Sequence, residues 1–356
     1  MFDFLFKKDH QALINGNKTI TVKAGQDLLA AGLKAGLGWS NDCRSGLCGS
    51  CVTRLKKGKI KPRSDFTQTL TPQQLESGCI LACQSLLKTD IEIDVALEES
   101  LGPPPEEHQG VLSAIRPLTH DIFEIKVSCD KPWPTGMLAG QYAEIGYKGL
   151  SAPRSYSFAK PPEKEKPGDL SFYIRHVPGG EFTDWLFAKD RTGTSLNIAA
   201  PYGRFHLHEG EKTMCCIASG SGMSAVKAVL EHACNTSVKR NAIFLFGARS
   251  QKDLYCAEEM EAISQAWNKD YRFEYIPVLS AEPEDSNWQG GRGYVTHYLA
   301  EHYLSKNLLD ITRAEAYMCG PPPMIDAGIK FLGEAGLQES AMYYDKFLDA
   351  SSNVKR

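Results

Sequence analysis

A C-x4-C-x2-C array within residues 41–51 constrains this chain more than any other feature of its sequence. A fourth cysteine follows after 31 intervening residues. Four thiolates at this spacing are typical of a 2Fe–2S cluster, whose sulfurs carry negative charge. Gly46 and Gly49 allow the chain to wrap closely, so that backbone N–H groups can face those sulfurs. The predicted cluster ligands are Cys43, Cys48, Cys51 and Cys83.

Other uses of these cysteines are less well supported by the sequence. Structural zinc modules usually contain paired C-x2-C knuckles, whereas here three cysteines share one loop and the fourth is remote. A disulfide framework is disfavoured because 11 cysteines in 356 residues are sparse and odd in number. Cys79 is an alternative fourth ligand. We favour Cys83, because Cys79 directly follows Ser77-Gly78, which is typical of the end of a short helix.

Length and composition predict a cytoplasmic protein with several domains. A chain of 356 residues, 42% of them hydrophobic, can bury more than one core. No apolar run approaches the roughly 18–20 residues of a membrane span, and the segment 1–8 is too short for a signal peptide. Cysteines outside the array, such as Cys215 and Cys216 in an apolar strand pattern, fit a reducing compartment.

The pattern of apolar residues changes along the chain and predicts three domains of different class. Residues 1–96 carry a hairpin signal, short helices and alternating strands, which indicate a small α+β domain of the ferredoxin-like (β-grasp) type. Residues 97–109 are acidic and proline-rich and are predicted to form a semi-rigid linker. Short alternating strands over 110–207 indicate an antiparallel β-barrel. Alternating strands and helices over 208–356 indicate a doubly wound α/β domain with a parallel sheet.

The barrel segment contains residue types suited to a flavin dinucleotide. On one predicted strand, Arg154 can pair with a pyrophosphate, Tyr156 can lie on a flat ring, and Ser157 can approach a ring nitrogen. Alone, this motif would be an ordinary strand edge with a surface arginine. A second strand, predicted over 170–176, ends in a double glycine before a helix predicted over 183–187. Such a turn is an anion site, and a plain strand-to-helix turn is the equal alternative.

The last domain has two turns at the carboxyl ends of predicted strands, where doubly wound sheets bind ligands. The first turn, SGSGMS over 219–224, lacks the full G-x-G-x-x-G pattern. The second, CGPPPM over 319–324, follows a strand predicted over 314–318. Helices are predicted over 253–267 and 294–303 in the same domain.

Together these motifs make the chain similar to the ferredoxin–NAD(P)H reductase superfamily, and in particular to the iron–sulfur flavoprotein reductases that serve bacterial oxygenases. The resemblance covers nearly the whole chain in the same domain order. The flavin-binding residues that it implies are Arg154, Tyr156, Ser157, Tyr173, Arg175, Val177, Gly179, Gly180, Phe182 and Thr183. The coenzyme-binding residues that it implies are Gly220, Ser221, Gly222, Met223, Arg249, Cys319, Gly320 and Pro321.

The resemblance also implies which residues act in catalysis. Ser157 is the candidate proton donor near the flavin, and Cys319 lies in the C-G-P-P turn near the point of hydride transfer. Phe347 is expected to cover the flavin ring, with a buried anchor for a last strand as the equal alternative. The coenzyme loop departs from the family, because Ser219 and Ala225 stand where a glycine and a proline are usual.

The implied function is an NADH-dependent reductase that passes electrons through FAD and the 2Fe–2S cluster to an oxygenase, hydroxylase or desaturase. Arg249, at the end of the domain's second strand, leaves NADPH open as the coenzyme. The reductase of a sugar-nucleotide deoxygenation system, built from the same modules, is one alternative. A flavin and iron–sulfur redox sensor is another. We expect a monomer with no nucleic-acid partner.

The charge of the first domain predicts the character of the partner. Residues 1–96 carry 13 basic and 9 acidic side chains, a net charge of +4 in a chain of net charge −3. The basic residues just beyond the cluster loop are Lys56, Lys57, Lys59, Lys61 and Arg63. They indicate a negatively charged partner, and the apolar and basic segment 1–8 indicates peripheral contact with the inner face of the membrane. A solvated surface is the alternative for both features.

Overall fold

A computed structural model of the protein describes residues 8–99, 101–133 and 136–347. The chain divides into two compact units, one ending at Glu106 and the other spanning Glu107–Phe347. No helix in the described part combines the length and the apolar character needed to cross a membrane. Except for its last residue, the segment 1–8 that was predicted to contact a membrane lies outside the described residues.

The first unit is a mixed sheet with a helix packed on it. Its elements are β1 (His10–Ile14), β2 (Lys18–Val22), α1 (Leu28–Lys34), β3 (Val52–Lys57), β4 (Ile60–Pro62), α2 (Pro72–Glu76), β5 (Cys79–Leu81), β6 (Ser85–Leu87) and β7 (Ile91–Asp94). The sheet order is β2-β1-β7-β3-β5, in which β1 and β7 are parallel. Strands β4 and β6 form a separate antiparallel ribbon. The predicted β-grasp class is confirmed.

Local sequence signals account for two features of this unit. Asn15 and Gly16 adopt positive φ angles of 50° and 71° in the turn that joins β1 to β2. Glycine tolerates this region without strain, and asparagine is among the residues that reach it most often. Thr71 caps α2 through its side chain, and Gln74 completes a capping box. Both features depend only on neighbouring residues, so both were predictable.

The second unit begins with an antiparallel sheet that nearly closes into a barrel. Its elements are β8 (Glu106–Pro117), β9 (Ile122–Cys129), β10 (Tyr142–Gly146), β11 (Arg154–Ser157), β12 (Asp169–Arg175), α3 (Glu181–Phe187) and β13 (Ser195–Tyr202). The sheet order is β11-β10-β13-β8-β9-β12. A single bridge between Phe158 and Phe172 joins the two edges of this sheet. The predicted barrel is confirmed.

The first barrel strand begins earlier than the sequence indicated. Strand β8 starts at Glu106, inside the segment 97–109 that was predicted to be a linker. Burial alternates along it, because His108, Gly110 and Leu112 point inward while the residues between them are exposed. Two of the acidic residues that suggested a linker, Glu106 and Glu107, are the exposed first residues of this strand, whereas Glu98, Glu99 and the prolines precede it.

The remainder of the second unit is a parallel sheet with helices on both faces. Its elements are β14 (Thr213–Ser219), α4 (Met223–Asn235), β15 (Ala242–Ala248), α5 (Ala257–Ala266), β16 (Phe273–Leu279), β17 (Gly291–Arg292), α6 (Val295–Leu299), β18 (Ala314–Gly320), α7 (Pro322–Glu334) and β19 (Met342–Lys346). The order is β17-β16-β15-β14-β18-β19, with all paired neighbours parallel. Hydrophobic clusters lie on both faces of the sheet. The predicted doubly wound class is confirmed.

Two predicted helices of this domain differ from the structure. The helix expected over 253–267 is shorter, because Cys256 has a left-handed φ of 60° and separates α5 from the 3-10 turn Gln251–Asp253. The helix expected over 294–303 ends as α6 at Leu299 and continues as a π-helical turn over Ala300–Leu304. In both places the periodicity of apolar residues indicated a helix but not where its hydrogen-bonding pattern changes.

Candidate functional site

The four predicted cluster ligands lie in two pairs. The Sγ atoms of Cys51 and Cys83 are 3.3 Å apart. Cys43 and Cys48 form the other pair, joined by a side-chain hydrogen bond, and the Cys43 sulfur also accepts the backbone N–H groups of Leu47 and Cys48 at 3.3 Å each. Two irons bridged by two sulfides need two protein thiolates each, and two pairs of thiols match that requirement.

The loop that carries three of these cysteines is held from outside by residues that the sequence did not reveal. Gly46 has a φ of 84°, and a Cβ atom there would lie 2.7 Å from Gln84 Cγ. Gln84 Nε2 donates to the backbone oxygen of Arg44 at 3.1 Å, and Thr69 Oγ1 donates to that of Gly46 at 2.6 Å. These bonds fix the loop without consuming the N–H groups that face sulfur.

Within each pair, the hydrogen bond between the two thiols shifts their pKa values in opposite directions. The hydrogen bond with Cys48 lowers the pKa of Cys43 to about 5, and the one with Cys83 lowers the pKa of Cys51. The pKa of the second thiol in each pair is raised by the same hydrogen bond. Thiolates are the form that binds iron. Four cysteine sulfurs arranged in two pairs are the donor type and number that a 2Fe–2S cluster requires.

Strand β11 presents Arg154 beside the start of α3. Arg154 Nη2 lies 3.3 Å from Glu181 Oε2, and Nη1 donates to the backbone oxygen of Ala152. Ser151 donates to the same carboxylate through its hydroxyl and, at 3.0 Å, through its backbone N–H. The hydrogen bonds from Ser151, together with the charge of Arg154, lower the pKa of Glu181. Sequence reasoning identified Arg154 but not the carboxylate that orients it.

The predicted phosphate turn is a closed structure that leads into α3. Thr183 Oγ1 accepts the backbone N–H of Val177 at 3.2 Å and donates to its oxygen at 3.0 Å. Gly179 has a φ of 81°, and its N–H donates to Asp184 Oδ2 at 2.9 Å. A Cβ atom on Gly180 would lie 2.7 Å from Thr183 Oγ1. The two glycines are therefore required by the shape of the turn.

The structure brings some of the predicted flavin residues together and separates others. Tyr156 packs against Phe182 of α3, with ring centroids 5.5 Å apart, so strand β11 and the turn form one site. Tyr173 is only 3% exposed, and its hydroxyl lies 3.5 Å from Cys256 Sγ at the start of α5. Burial raises the pKa of Tyr173. Tyr173 thus contacts the parallel-sheet domain rather than Arg154.

The two predicted coenzyme turns touch each other at the carboxyl ends of β14 and β18. A Cβ atom on Gly222 would lie 2.2 Å from the backbone oxygen of Cys319. Gly220 has a φ of 54°, and its backbone oxygen accepts the hydroxyl of Tyr255 at 2.8 Å. Adjacent parallel strands therefore end in a tight cradle of backbone, where doubly wound sheets bind nucleotides. The close approach of the two backbones at Gly222 leaves no room there for a larger residue.

The three predicted catalytic residues surround the end of β19. Ser157 Oγ lies 3.5 Å from Asp345 Oδ2, and Asp345 pairs in register with Cys319. Burial, with a smaller contribution from the charge of Asp345, raises the pKa of the Cys319 thiol far above its usual value. The backbone N–H of Phe347 donates to Gly320 at 2.9 Å. Phe347 is partly buried, so both interpretations of its ring stay open, and Asp345 is a neighbour that sequence reasoning missed.

A basic cavity of about 560 Å³ lies beyond the coenzyme turn. Arg249, which directly follows β15, lines it, together with Arg175, His120, Asp121 and Asp253 among others. Its carboxylates are engaged, since Asp121 lies 2.9 Å from Arg175 Nε and Asp253 lies 3.4 Å from His120 Nδ1. A cavity of about 990 Å³ at the amino ends of the same sheet is lined by none of the predicted site residues.

Three family models match the chain in sequence. Residues 12–88 match the 2Fe-2S iron-sulfur cluster binding domain, residues 109–207 the oxidoreductase FAD-binding domain, and residues 216–329 the oxidoreductase NAD-binding domain. The predicted cofactors, a 2Fe–2S cluster, FAD and NAD(H), are thereby confirmed. The individual ligand residues named above remain predictions.

The chain is similar along most of its length to named proteins. It is 40% identical over 326 residues to the xylene/toluene monooxygenase electron transfer component of Pseudomonas putida, covering 92% of this chain and 90% of that protein. It is 28% identical over 341 residues to the phenol 2-monooxygenase reductase component of Pseudomonas sp. strain CF600, covering 95% and 94%. The solved structure of a ferredoxin reductase in carbazole 1,9a-dioxygenase matches at 27% identity with a TM-score of 0.80, covering 96% and 99%. An Amycolatopsis cytochrome P450 reductase matches at 25% identity, with a TM-score of 0.85 and the same coverage.

Proposed function

Since this chain belongs to the family of iron–sulfur flavoprotein reductases that includes the electron transfer components of oxygenases, we propose that it carries electrons from NADH through FAD and the 2Fe–2S cluster to an oxygenase. The observation that carries the proposal is the presence of all three cofactor domains in one chain. The proposal extends to the class of partner, a monooxygenase, dioxygenase, hydroxylase or desaturase component, and not to the compound oxidised.

The residues of the chain bind and orient the cofactors in this scheme. When bound, NADH supplies a hydride with its two electrons and leaves as NAD⁺, FAD accepts that pair, and an iron–sulfur centre takes electrons one at a time. The glycine turn and the Cys319 backbone hold the coenzyme, and Arg154 pairs with the flavin pyrophosphate. Ser157, the last residue of the flavin motif, donates a hydrogen bond to Asp345 and so holds a hydroxyl proton within that motif.

The proposal is tested by turnover with an artificial acceptor. The purified protein, loaded with FAD and cluster, should oxidise NADH continuously when a one-electron dye is present. A redox sensor would show only a single equivalent of oxidation per protein. Absence of sustained NADH oxidation in protein that demonstrably holds both groups would contradict the proposal. Addition of an oxygenase component and its substrate then tests the class of partner.

We expect Arg154→Ala to lose FAD on dilution. A charged hydrogen bond to phosphate contributes about 1.5–3 kcal/mol, so the Kd for FAD should rise roughly 10- to 150-fold. The measurement is flavin retained after gel filtration. Arg191→Ala is the matched control, because Arg191 lies in the same domain but stacks on Trp185, 4.7 Å from the ring centroid, outside the motif. Undiminished flavin in the Arg154 variant would remove this residue from the site.

We expect kcat/KM to favour NADH over NADPH. The preference rests on what the resemblance to the reductases of bacterial oxygenases implies, because Asp121 and Asp253, the carboxylates of the cavity next to the coenzyme turn, are already paired with Arg175 and His120. Arg249 and Lys252 line the same cavity, and their positive charges would instead attract a 2'-phosphate. Arg249→Ala should therefore lower the residual activity with NADPH and leave that with NADH nearly unchanged. A ratio in favour of NADPH for the unmodified protein would refute the preference.

We expect electron transfer to the oxygenase to slow as ionic strength rises. The basic set next to the cluster loop is partly neutralised, since Lys57 pairs with Glu92 at 2.9 Å and Arg63 with Asp27 at 3.5 Å. Lys59 and Lys61 have no ion pair within the described residues, so they are the proposed contacts. Charge interactions at a surface are screened over about 8 Å at physiological salt.

The paired variant Lys59→Gln/Lys61→Gln should lower the transfer rate at low salt and flatten its salt dependence. Lys18→Gln, an exposed lysine on β2 of the same unit, is the control and should leave both unchanged. A transfer rate that does not respond to salt would contradict the electrostatic part of the proposal. The cytoplasmic location, the monomeric state and the membrane contact of residues 1–8 stay predictions.

A further inference from the structure

Helix α4 contains a lysine that is almost completely enclosed. Lys227 is 1% exposed, and its Nζ lies 2.8 Å from Oε1 of Glu231, one helical turn away. The same Nζ donates to the backbone oxygen of Ala159 at 3.1 Å. A buried ammonium group is costly unless its charge is paired and its donors are used. The enclosed charge therefore requires these partners.

The contact joins two parts of the proposed active site. Helix α4 begins at Met223, directly after the glycine turn that holds the coenzyme. Ala159 lies two residues beyond Ser157. Its N–H donates to the backbone oxygen of Ser171 in β12 at 2.8 Å, so its backbone is fixed to the barrel. Through Lys227, the helix that starts at the coenzyme turn is bound to the strand that carries the flavin motif.

The surroundings of Lys227 strengthen this connection. Its Nζ lies 5.8 Å from the ring centroid of Tyr173, a cation–π arrangement on a second barrel strand. Glu231 lies 4.0 Å from Lys164, a residue of the barrel segment. Further out on the same helix, His232 Nδ1 lies 2.7 Å from Glu163. Lys227 is thus the innermost of several polar contacts between α4 and the barrel.

We propose that Lys227 is a positioning residue for hydride transfer: its buried ammonium sets the distance between the coenzyme turn and the flavin strand. The proposal rests on the function proposed above. Hydride transfer requires the reacting atoms to approach within about 3–3.5 Å, and a misplacement of about 1 Å can cost roughly 100-fold in rate. A fixed tie between the two binding sites therefore acts on the rate of transfer rather than on the affinity of either group.

The test uses the paired variant Lys227→Met/Glu231→Gln in the full-length protein with FAD and cluster bound. Replacing both residues avoids leaving a buried carboxylate without its cation. Lys330→Met/Glu334→Gln is the matched control, because these residues form an i,i+4 pair at 4.0 Å on α7 and are largely exposed. Flavin reduction by NADH is followed in single turnovers without oxygen. Equilibrium binding of NAD⁺ and the long-wavelength charge-transfer absorbance of the reduced flavin with NAD⁺ are measured separately.

We expect the paired variant to keep its flavin and its NAD⁺ affinity, to reduce flavin roughly 10- to 100-fold more slowly, and to lose charge-transfer absorbance. The control should match the unmodified protein. Lys227→Gln/Glu231→Gln, which retains an N–H donor, should recover part of the rate. A full rate and full absorbance in the paired variant would overturn the proposal. So would failure of both Lys227 variants to bind FAD, since the residue would then serve folding. If the unmodified protein itself does not reduce its flavin with NADH or NADPH, the proposed function fails instead.

Discussion

Serine in place of Cys83 should abolish the visible absorption of the 2Fe–2S cluster, whereas serine in place of Cys79 should leave it intact. Cys83 lies 3.3 Å from Cys51, sulfur to sulfur, in a turn directly after β5. The Cys79 sulfur lies instead 3.4 Å from Ser77 Oγ. Loss of one thiolate leaves an iron with incomplete protein ligation, so we expect the cluster content to fall to a small fraction.

The two cysteine variants control for each other, because each removes one sulfur from the same short segment. Iron and acid-labile sulfide per protein, together with the electron paramagnetic resonance signal of the reduced protein, measure the cluster. Flavin content and NADH-dependent flavin reduction should persist in both variants, since those sites lie in other domains. Loss of the cluster in the Cys79 variant with retention in the Cys83 variant would reverse the ligand assignment.

Alanine in place of Gly222 should nearly eliminate flavin reduction by NADH. The added Cβ would lie 2.2 Å from the backbone oxygen of Cys319 and 2.6 Å from its carbonyl carbon. Backbone atoms within a paired strand cannot rotate away as a side chain would, so the coenzyme turn must separate from the Cys319 turn. A shift of about 1 Å in this cradle should slow the transfer roughly 100-fold or more.

Gly333→Ala is the matched control for this substitution. Gly333 lies in α7 of the same domain, where an added Cβ would meet only the end of Met342 at 3.9 Å. Alanine there should preserve activity and favour the helix. Flavin and cluster content should be normal in both variants. Normal single-turnover flavin reduction in the Gly222 variant would show that the two turns do not form the coenzyme cradle.

The sequence was most informative where function depends on residues that are close together along the chain. The cysteine array and the Arg154–Ser157 motif each occupy one loop or one strand, and their chemistry follows from residue type and spacing. The three domain classes followed from changes in periodicity. Strand β19 was anticipated only as the alternative interpretation of Phe347, because Met342–Lys346 shows no alternation of buried and exposed residues and pairs only with β18.

The partners of the predicted site residues were not predictable for a different reason. Glu181 meets Arg154, and Asp345 meets Ser157, only after the chain has folded, across separations of 27 and 188 residues. Periodicity reports which face of an element is buried, not which distant side chain it meets. Lys227 gave a weak local signal, as a charged residue within the apolar stretch of α4.

The parallel pairing of β1 with β7 has a consequence for the order of events during synthesis. Ala12 and Ile14 lie opposite Ile91 and Ile93, so the central strand of this sheet, β7, pairs with β1 from the other end of the domain. A nascent chain displays all four cluster cysteines before β7 has emerged from the ribosome. Contacts between such distant segments form slowly. Iron that reaches the chain at this stage would therefore encounter thiols that the sheet does not yet enclose. Productive cluster assembly should begin only after β7, which ends at Asp94, has left the ribosome.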